Sequence, residues 1–255
     1  MTTPTDTVLY GYFNINTQAG PIVVVIPESK ETGLWAGSMD PGQAALIDFG
    51  PAGSDEGKGG KYLFLAPDYE GEVPDGYYVA RASTYNVWAL LRFIPKSFSQ
   101  ADLDKAVEMI KKCRVYPLAQ ASNPPAQRHI DMAGKLYDGI VRFDETYFAN
   151  LAEMVNEEPV KEQDKAIMGI FRSLEIEKGK SVQPDAEMKE ILKASAEEAH
   201  QWLMANVAGG IEPFWQDGAW GVAFPATTMS SNGTFITDSY IDTDARAITY
   251  FQSIL

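Results

Sequence analysis

The first 98 residues contain short runs of β-branched and aromatic residues, and turn residues separate each run from the next. The runs are TVLYGYFNI, PIVVVIP, TGLWAGSM, AALIDF, KYLFLAP, GYYVARA and NVWALLRF. Strands of this length and spacing are typical of an antiparallel sheet or a β-sandwich. This pattern constrains the fold more than any other feature, because it assigns the N-terminal part of the chain to strands.

The pattern changes to a helical period after Phe98. Ser99 and Asp144 are predicted helix N-caps, because their side-chain oxygens can accept hydrogen bonds from the free N–H groups of a first turn. The longest helix is predicted over Pro184–Val207 and is ended by glycines. Its apolar stripe is predicted to face the core through residues that include Ile191, Leu192 and Trp202.

The tail returns to strand-like runs around Ser230–Gly233, where Asn-Gly favours a hairpin, and then to a helix that begins at Thr243. The predicted fold class is therefore α+β. We expect an antiparallel β part over residues 1–98, a helical part over residues 99–208, and a hairpin plus C-terminal helix over residues 209–255. The last segment is expected to rejoin the β part, so that the whole forms one compact domain.

Charge and composition exclude several classes of protein. The net charge is −14, from 21 basic and 35 acidic residues, and no basic run is present. Binding to a phosphate backbone or to an anionic membrane surface is therefore disfavoured. No run of apolar residues approaches the length of a membrane span, and no signal peptide is visible in this sequence. Cys113 is the single cysteine, so no intrachain disulfide forms.

Common catalytic motifs fail when they are tested in detail. GSDEGKGG has the wrong spacing for a phosphate-binding loop and lacks its hydroxyl residue, so a flexible hairpin loop is the better interpretation. The chain has only two histidines and no metal-ligand spacing, and it has no G-x-S-x-G. We therefore predict neither a metal nor a cofactor.

Two arginines, Arg81 and Arg92, lie inside segments that otherwise resemble core strands. A buried guanidinium costs several kcal/mol unless a carboxylate and further acceptors meet it. Strand alternation places Arg92 beside Trp88, and Arg81 beside Tyr77, on their respective faces. The candidate carboxylates are those of Asp40, Asp242 and Asp244.

Two hypotheses for function follow from these residues. The first is a non-catalytic binding or structural module, with an aromatic and arginine-lined site on the sheet that suits a small molecule or a saccharide. The second is a hydrolase-like enzyme without a metal, whose site would combine Asp40, Arg81 and Arg92, with Asp242 or Asp244 as further acids and Tyr10 as a proton donor or orienter. The alternative to both is that these residues form an ion-pair cluster that stabilises the sheet. Whether the protein is an enzyme stays open at this point. The residues predicted to bind ligand are Tyr77, Arg81, Trp88, Arg92, Asp242 and Asp244, and further aromatic candidates are Tyr62, Tyr69, Tyr78 and Tyr85.

The order of several motifs resembles the bacterial family named domain of unknown function 1254. The similar features are DTVLY near the start, GKYLFLAPDYEGEVPDG from Gly60 to Gly76, and STYNVWALLR from Ser83 to Arg92. EKGKSVQPDAEMKEIL in the helical part is also typical of the family. The resemblance covers nearly the whole chain.

The resemblance carries implications about the parent protein. It implies an exported bacterial protein in which a second β domain, of unknown function 1214, often follows this one. Such a domain, or a separate partner chain, would then be a partner of the present chain. The resemblance implies no reaction, because the family has no agreed activity.

Overall fold

A computed structural model describes residues 6–42, 44–135 and 141–206, together with residues 212–213, 215 and 221–222. The described residues fall into two compact units. One unit spans Thr5–Lys135, and the other contains the described residues after position 135. The first unit thus extends beyond the strands of the N-terminal part and includes a helix and a further strand.

The first unit is a sandwich of two four-stranded sheets. The first sheet has the order β1-β7-β3-β4 and all of its neighbours are antiparallel. The second sheet has the order β6-β5-β2-β8, and only β5 and β6 run parallel. The elements in chain order are β1 (Leu9–Asn16), β2 (Ile22–Ile26), β3 (Gly33–Met39), β4 (Ala45–Phe49), β5 (Gly60–Leu65), β6 (Tyr78–Arg81), β7 (Asn86–Ile94), helix α1 (Gln100–Lys112) and β8 (Arg114–Pro117).

The main core lies between the two sheets. Phe49 of the first sheet meets Tyr62 of the second edge-to-face, with ring centroids 4.6 Å apart. Alternate residues of β7 point into this core, and helix α1 adds Ala106 and Met109 to it. Each fully buried large side chain contributes about 1.5–3 kcal/mol through removal from water, so this core is the main source of stability in the unit.

The glycine-rich segment between β4 and β5 forms a compact turn around Asp55, where the sequence suggested a flexible loop. Asp55 is buried, and its two carboxylate oxygens accept hydrogen bonds from the backbone N–H groups of Gly50, at 2.7 Å, and Gly59, at 2.9 Å. Gly59 has a φ of +72°, and a Cβ there would lie 2.6 Å from the backbone nitrogen of Glu28. The glycines therefore permit a close turn, and the carboxylate holds it.

The second unit is helical in its described part. It contains α2 (Glu145–Glu157), α3 (Lys165–Ser173) and α4 (Ala186–Asn206), with a small core around Ala152, Val155 and Ile176. Two short strands, Glu212–Pro213 and Gly221–Val222, pair with each other antiparallel. Among the described residues, no helix is both long enough and apolar enough to cross a membrane.

The α+β class is confirmed, and so are both predicted caps. Ser99 accepts from the N–H of Asp102, and Asp144 accepts from the N–H of Thr146. The inward orientation predicted for Ile191 and Trp202 on α4 is wrong, because both are more than half exposed. A narrower stripe, which contains Leu192 and Ala196, is buried instead. The predicted hairpin at Ser230–Gly233 and the helix after Thr243 lie outside the described residues.

Candidate functional site

The outward side of the first sheet carries a concentration of aromatic residues. Strand alternation separates it from the core side, on which Val87, Ala89, Leu91 and Phe93 of β7 are buried. We call this outward side the open face. It is made of Tyr10, Tyr12, Asn14, Trp35, Gly37, Met39, Asp48, Trp88, Leu90 and Arg92.

The first row across the open face is centred on Arg92. The strand register places Arg92 directly between Tyr10 of β1 and Trp35 of β3. Opposed residues on one face of a sheet have Cβ atoms about 4.5–5.5 Å apart. The Trp35 side chain is 66% exposed, so this row presents a guanidinium flanked by a tyrosine and an accessible indole.

The second row, which we call the floor, lies between the row of Arg92 and the row of Trp88. It contains Tyr12, Leu90, Gly37 and Asp48, in that order across the four strands. Gly37 has no side chain, and a Cβ there would lie 2.6 Å from a carboxylate oxygen of Asp48. The Asp48 carboxylate therefore lies over β3, and burial against the sheet raises the pKa of Asp48.

The third row is anchored by Trp88, which lies between Asn14 and Met39. The indole Nε1–H of Trp88 donates to the backbone oxygen of Asp40 at 3.2 Å. Its ring lies 6.3 Å from the ring of Tyr12, at an interplanar angle of 33°. Trp88 is therefore held in place at one end of the sheet, whereas Trp35 stands on the other side of the floor.

Arg92 is half-buried, but no hydrogen bond or ion pair joins its guanidinium to another residue in the described part of the chain. The nearest carboxylate on the open face by register is that of Asp48, two strands away and one row along. Strand spacing puts their Cα atoms about 12 Å apart. The first sheet thus presents a partly desolvated cation to whatever occupies the face.

Asp40 is fully buried in the turn after β3 and does not lie beside Arg92. Its carboxylate accepts from the backbone N–H of Ala44 at 2.9 Å and from the hydroxyl of Ser83 at 3.2 Å. Asp40 follows Met39, and Met39 pairs with Trp88. Trp88 lies about 13 Å from Arg92 along β7, so Asp40 is near the opposite end of that strand. The structure therefore brings Tyr10, Trp88 and Arg92 onto one face but leaves Asp40 as a structural acceptor of the turn.

Arg81 lies on the other sheet, at the end of its edge strand β6. It is exposed, and its Nη1 donates to the backbone oxygen of Tyr69 at 2.8 Å. Tyr69 and Tyr77 pack on the outward side of this sheet, against a cluster that includes Leu63. Arg81 therefore helps to hold the loop between β5 and β6 over the second sheet.

The other predicted residues are spread over different parts of the molecule. Tyr62 is fully buried between the sheets, so its predicted place on a ligand surface is wrong. Burial and the nearby charge of Asp55 raise the pKa of Tyr62. The hydroxyl of Tyr85 donates to Asp68 at 2.8 Å, and Tyr78 packs against the main core. Asp242 and Asp244 lie outside the described residues.

The described residues offer little support for a metal site or for a reactive thiol. No group of three or more His, Cys, Asp or Glu side chains there could hold a metal ion. Burial raises the pKa of the Cys113 thiol to about 12. A thiol with this pKa is almost entirely protonated at neutral pH and is a weak nucleophile.

Sequence reasoning missed Tyr12, Trp35, Gly37 and Asp48 as members of the face. A local signal existed, because Gly33 and Gly37 flank Trp35 at i ± 2 and leave its indole without neighbours on its own strand. The pairing of β3 with β7 could not be predicted from the sequence, because many residues separate the two strands along the chain. That pairing is what joins Trp35 to Arg92.

Comparison with known proteins supports the fold and a family. The crystal structure of the VPA0106 protein from Vibrio parahaemolyticus is similar, with a TM-score of 0.67 and 16% sequence identity. The similarity covers 98% of this chain and 57% of that one, so the chain spans a little over half the length of this relative. At this identity the likeness concerns the fold alone. No curated protein matches.

The match to a family lies in the segment that builds the open face. The segment of residues 1–117 matches the family described as Protein of unknown function (DUF1254). It contains both sheets of the sandwich and every residue of the open face. Residues 1–117, a little under half of the chain, are therefore similar to the DUF1254 family.

Proposed function

We propose that this protein is a non-catalytic binding module and that its open face stacks the flat ring of a small molecule or a saccharide. The observation that carries the proposal is the exposure of large aromatic side chains on the open face. Trp35 is 66% exposed and Tyr12 is 54% exposed. An exposed apolar patch with polar neighbours is typical of a binding surface.

The floor itself suits a flat ligand. Leu90 lies between Arg92 and Trp88 on β7 and carries no polar side chain, and the carboxylate of Asp48 lies over the neighbouring Gly37. A ring that rests on this floor would have an indole on each side, and such side chains give large contact areas at low entropic cost. Asn14 and Asp48 supply hydrogen-bonding groups at the margin of the face.

The hydrolase-like alternative has weaker support. A general base and its partners must lie within hydrogen-bond reach of the same reacting group. Asp40 is buried under the turn after β3, about 13 Å along the sheet from Arg92. The positions of these groups favour a binding surface over a shared catalytic centre.

The test is a binding experiment on the whole chain with one variant of the face and a matched control. Tryptophan fluorescence and calorimetry would measure the affinity for a panel of oligosaccharides and simple ring-shaped acids. We expect Trp35→Ala to weaken binding by tenfold or more, since a stacked indole is worth about 1–3 kcal/mol. Trp202→Ala is the control, because Trp202 is 65% exposed and belongs to the other unit.

Each outcome of this experiment decides the proposal. Weakened binding in Trp35→Ala with normal binding in Trp202→Ala supports it. Equal losses in both variants, or no binding by any member of the panel, would refute it. Circular dichroism of both variants establishes that any loss arises from the surface and not from unfolding.

A further inference from the structure

We propose that the ligand of the open face carries a carboxylate on its ring and that Arg92 binds this group and determines specificity. This inference rests on the proposed function, and it adds the chemical class of the ligand. The shared chemistry is a singly charged carboxylate attached to a six-membered ring, as in a uronic acid unit of an oligosaccharide or in an aromatic acid.

The first argument is the state of Arg92. Its side chain is half-buried in the sheet surface, and the described residues give its guanidinium neither a hydrogen bond nor an ion pair. Other arginines of the same unit are satisfied: Arg81 donates to the backbone oxygen of Tyr69, and Arg114 donates to Pro124 and Pro125. A partly desolvated guanidinium forms a strong, charge-assisted hydrogen bond with an anion, so Arg92 is the residue of this face best suited to bind one.

The second argument is the geometry around Arg92. Tyr10 and Trp35 flank it at the two neighbouring positions of its row. Flanking aromatic rings reduce the exposure of a guanidinium to water, and a drier site strengthens its bond to an anion. The guanidinium can hold both oxygens of a carboxylate in a planar, bidentate arrangement.

The third argument concerns the charge of the ligand. Arg92 is the one basic residue among the ten that define the open face, and Asp48 stands at the far end of the next row. The whole chain has a net charge of −14. These charges disfavour a polyanion or a dianionic phosphate and favour a ligand with one negative group at one end.

The fourth argument is size. The distance between the row of Arg92 and the row of Trp88 is about 13 Å along β7, and the width of the four strands is about 14 Å across the sheet. This area accommodates a ring on Leu90 with its carboxylate at Arg92. It also accommodates a neighbouring ring toward Trp88.

The experiment compares an acid with its neutral ester on the whole chain. Galacturonate and its methyl ester have the same ring but differ in charge, and benzoate and methyl benzoate are the corresponding aromatic pair. We expect an acid to bind at least tenfold more tightly than its ester, because a charge-assisted bidentate bond is lost in the ester. Tight binding of galacturonate identifies a sugar acid, and tight binding of benzoate identifies an aromatic acid.

Variants of Arg92 assign the effect to this residue. Arg92→Leu should abolish the preference for the acid over the ester. Arg92→Lys should retain part of the preference, because it keeps the charge but not the bidentate geometry. Arg128→Leu, which removes an exposed arginine of the same unit, is the control and should change neither affinity.

The outcomes separate this inference from the proposed function. If acid and ester bind equally in the unmodified chain, or if Arg92→Leu keeps the preference, the inference is wrong but the binding module stands. If no acid and no ester binds, the inference is wrong, and binding of neutral oligosaccharides from the panel decides the proposed function separately. The comparison of acid with ester uses the unmodified chain, so it remains decisive even where Arg92→Leu does not fold.

Discussion

The two sheets of the sandwich share one core but differ on their outward sides. On the second sheet, Leu63 and Leu65 are fully buried beneath the loops that carry Tyr69, Tyr77 and Leu118. On the first sheet, the open face keeps Trp35 and Tyr12 more than half exposed. Within the described residues, the chain thus covers one outward side with its own segments and leaves large aromatic rings accessible on the other.

This difference separates structural aromatic residues from candidate binding residues. The loop over the second sheet is fastened by polar contacts, such as that from the hydroxyl of Tyr69 to the backbone oxygen of Glu72 at 3.0 Å. The open face is bordered by Asn14 and Asp48, which are exposed. Exposed apolar surface of this kind does not add to folding stability, so its aromatic content is better explained by binding.

The largest expected effect is on the free energy of unfolding, and it appears when one leucine from each outward side is replaced. Leu63→Ala should lower the free energy of unfolding by about 2–5 kcal/mol, because it leaves a cavity under the loop. Leu90→Ala should lower it by less than about 1 kcal/mol, because Leu90 is already half-exposed. Urea denaturation measures both, and similar losses would show that the open face is covered in solution.

A smaller effect on the free energy of unfolding is expected when Arg81 or Arg92 is replaced. Arg81→Leu should lower the free energy of unfolding by about 1 kcal/mol, because it removes the bond to the backbone oxygen of Tyr69. Arg92→Leu should leave stability unchanged or raise it, since no described residue accepts from Arg92. Thermal denaturation of both variants tests this, and a larger loss for Arg92→Leu would contradict the difference between the faces.

A still smaller effect is expected for Trp35→Ala. Because the indole is 66% exposed, its removal should change the free energy of unfolding by no more than about 0.5 kcal/mol. Chemical denaturation without ligand measures this change. A loss of several kcal/mol would mean that Trp35 is part of a packed interface and not of a binding surface.

The smallest effect depends on pH and concerns Asp48. Its pKa is raised by burial from the ordinary value of 3.8, so the folded chain binds its proton more tightly than the unfolded chain does. Stability therefore falls as the pH rises from 3.8 through the folded pKa. Asp48→Asn should consequently be the more stable protein at pH 7, by no more than about 0.5 kcal/mol.

The control for Asp48→Asn is the same comparison at low pH. Below pH 3.8 the carboxyl of Asp48 is protonated in both the folded and the unfolded chain, so the advantage of the variant should disappear. Thermal denaturation at pH 3 and pH 7 measures both differences. An equal advantage at the two values would exclude the ionisation of Asp48 as its cause.

Some features of the site were predictable from local sequence. The alternation of β7 correctly places Trp88, Leu90 and Arg92 on one side and Val87, Ala89, Leu91 and Phe93 on the core side. The caps at Ser99 and Asp144 were also predictable. These features depend on residues within a few positions of one another, and local stereochemistry and hydrogen bonding decide them.

Features that depend on distant residues were not predictable in the same way. The pairing of Asp40 with an arginine was a prediction from charge alone. In the structure, the Asp40 carboxylate accepts hydrogen bonds from the backbone N–H of Ala44 and the hydroxyl of Ser83. The stripe predicted for α4 was too wide, because a helix buries only the side that meets a neighbour. In both cases the answer depends on which segments of the chain pack together.

The sequence by itself determined that this protein is α+β, that strands precede helices, and that Arg92 shares a face with Trp88. These properties follow from side-chain periodicity and from capping, which act over a few residues. Only the tertiary structure decided that β3 lies beside β7 and sets Trp35 next to Arg92, and that loops cover the outward side of the second sheet. Strand order and loop placement are chosen by the global balance of buried surface, which no short segment of the chain contains.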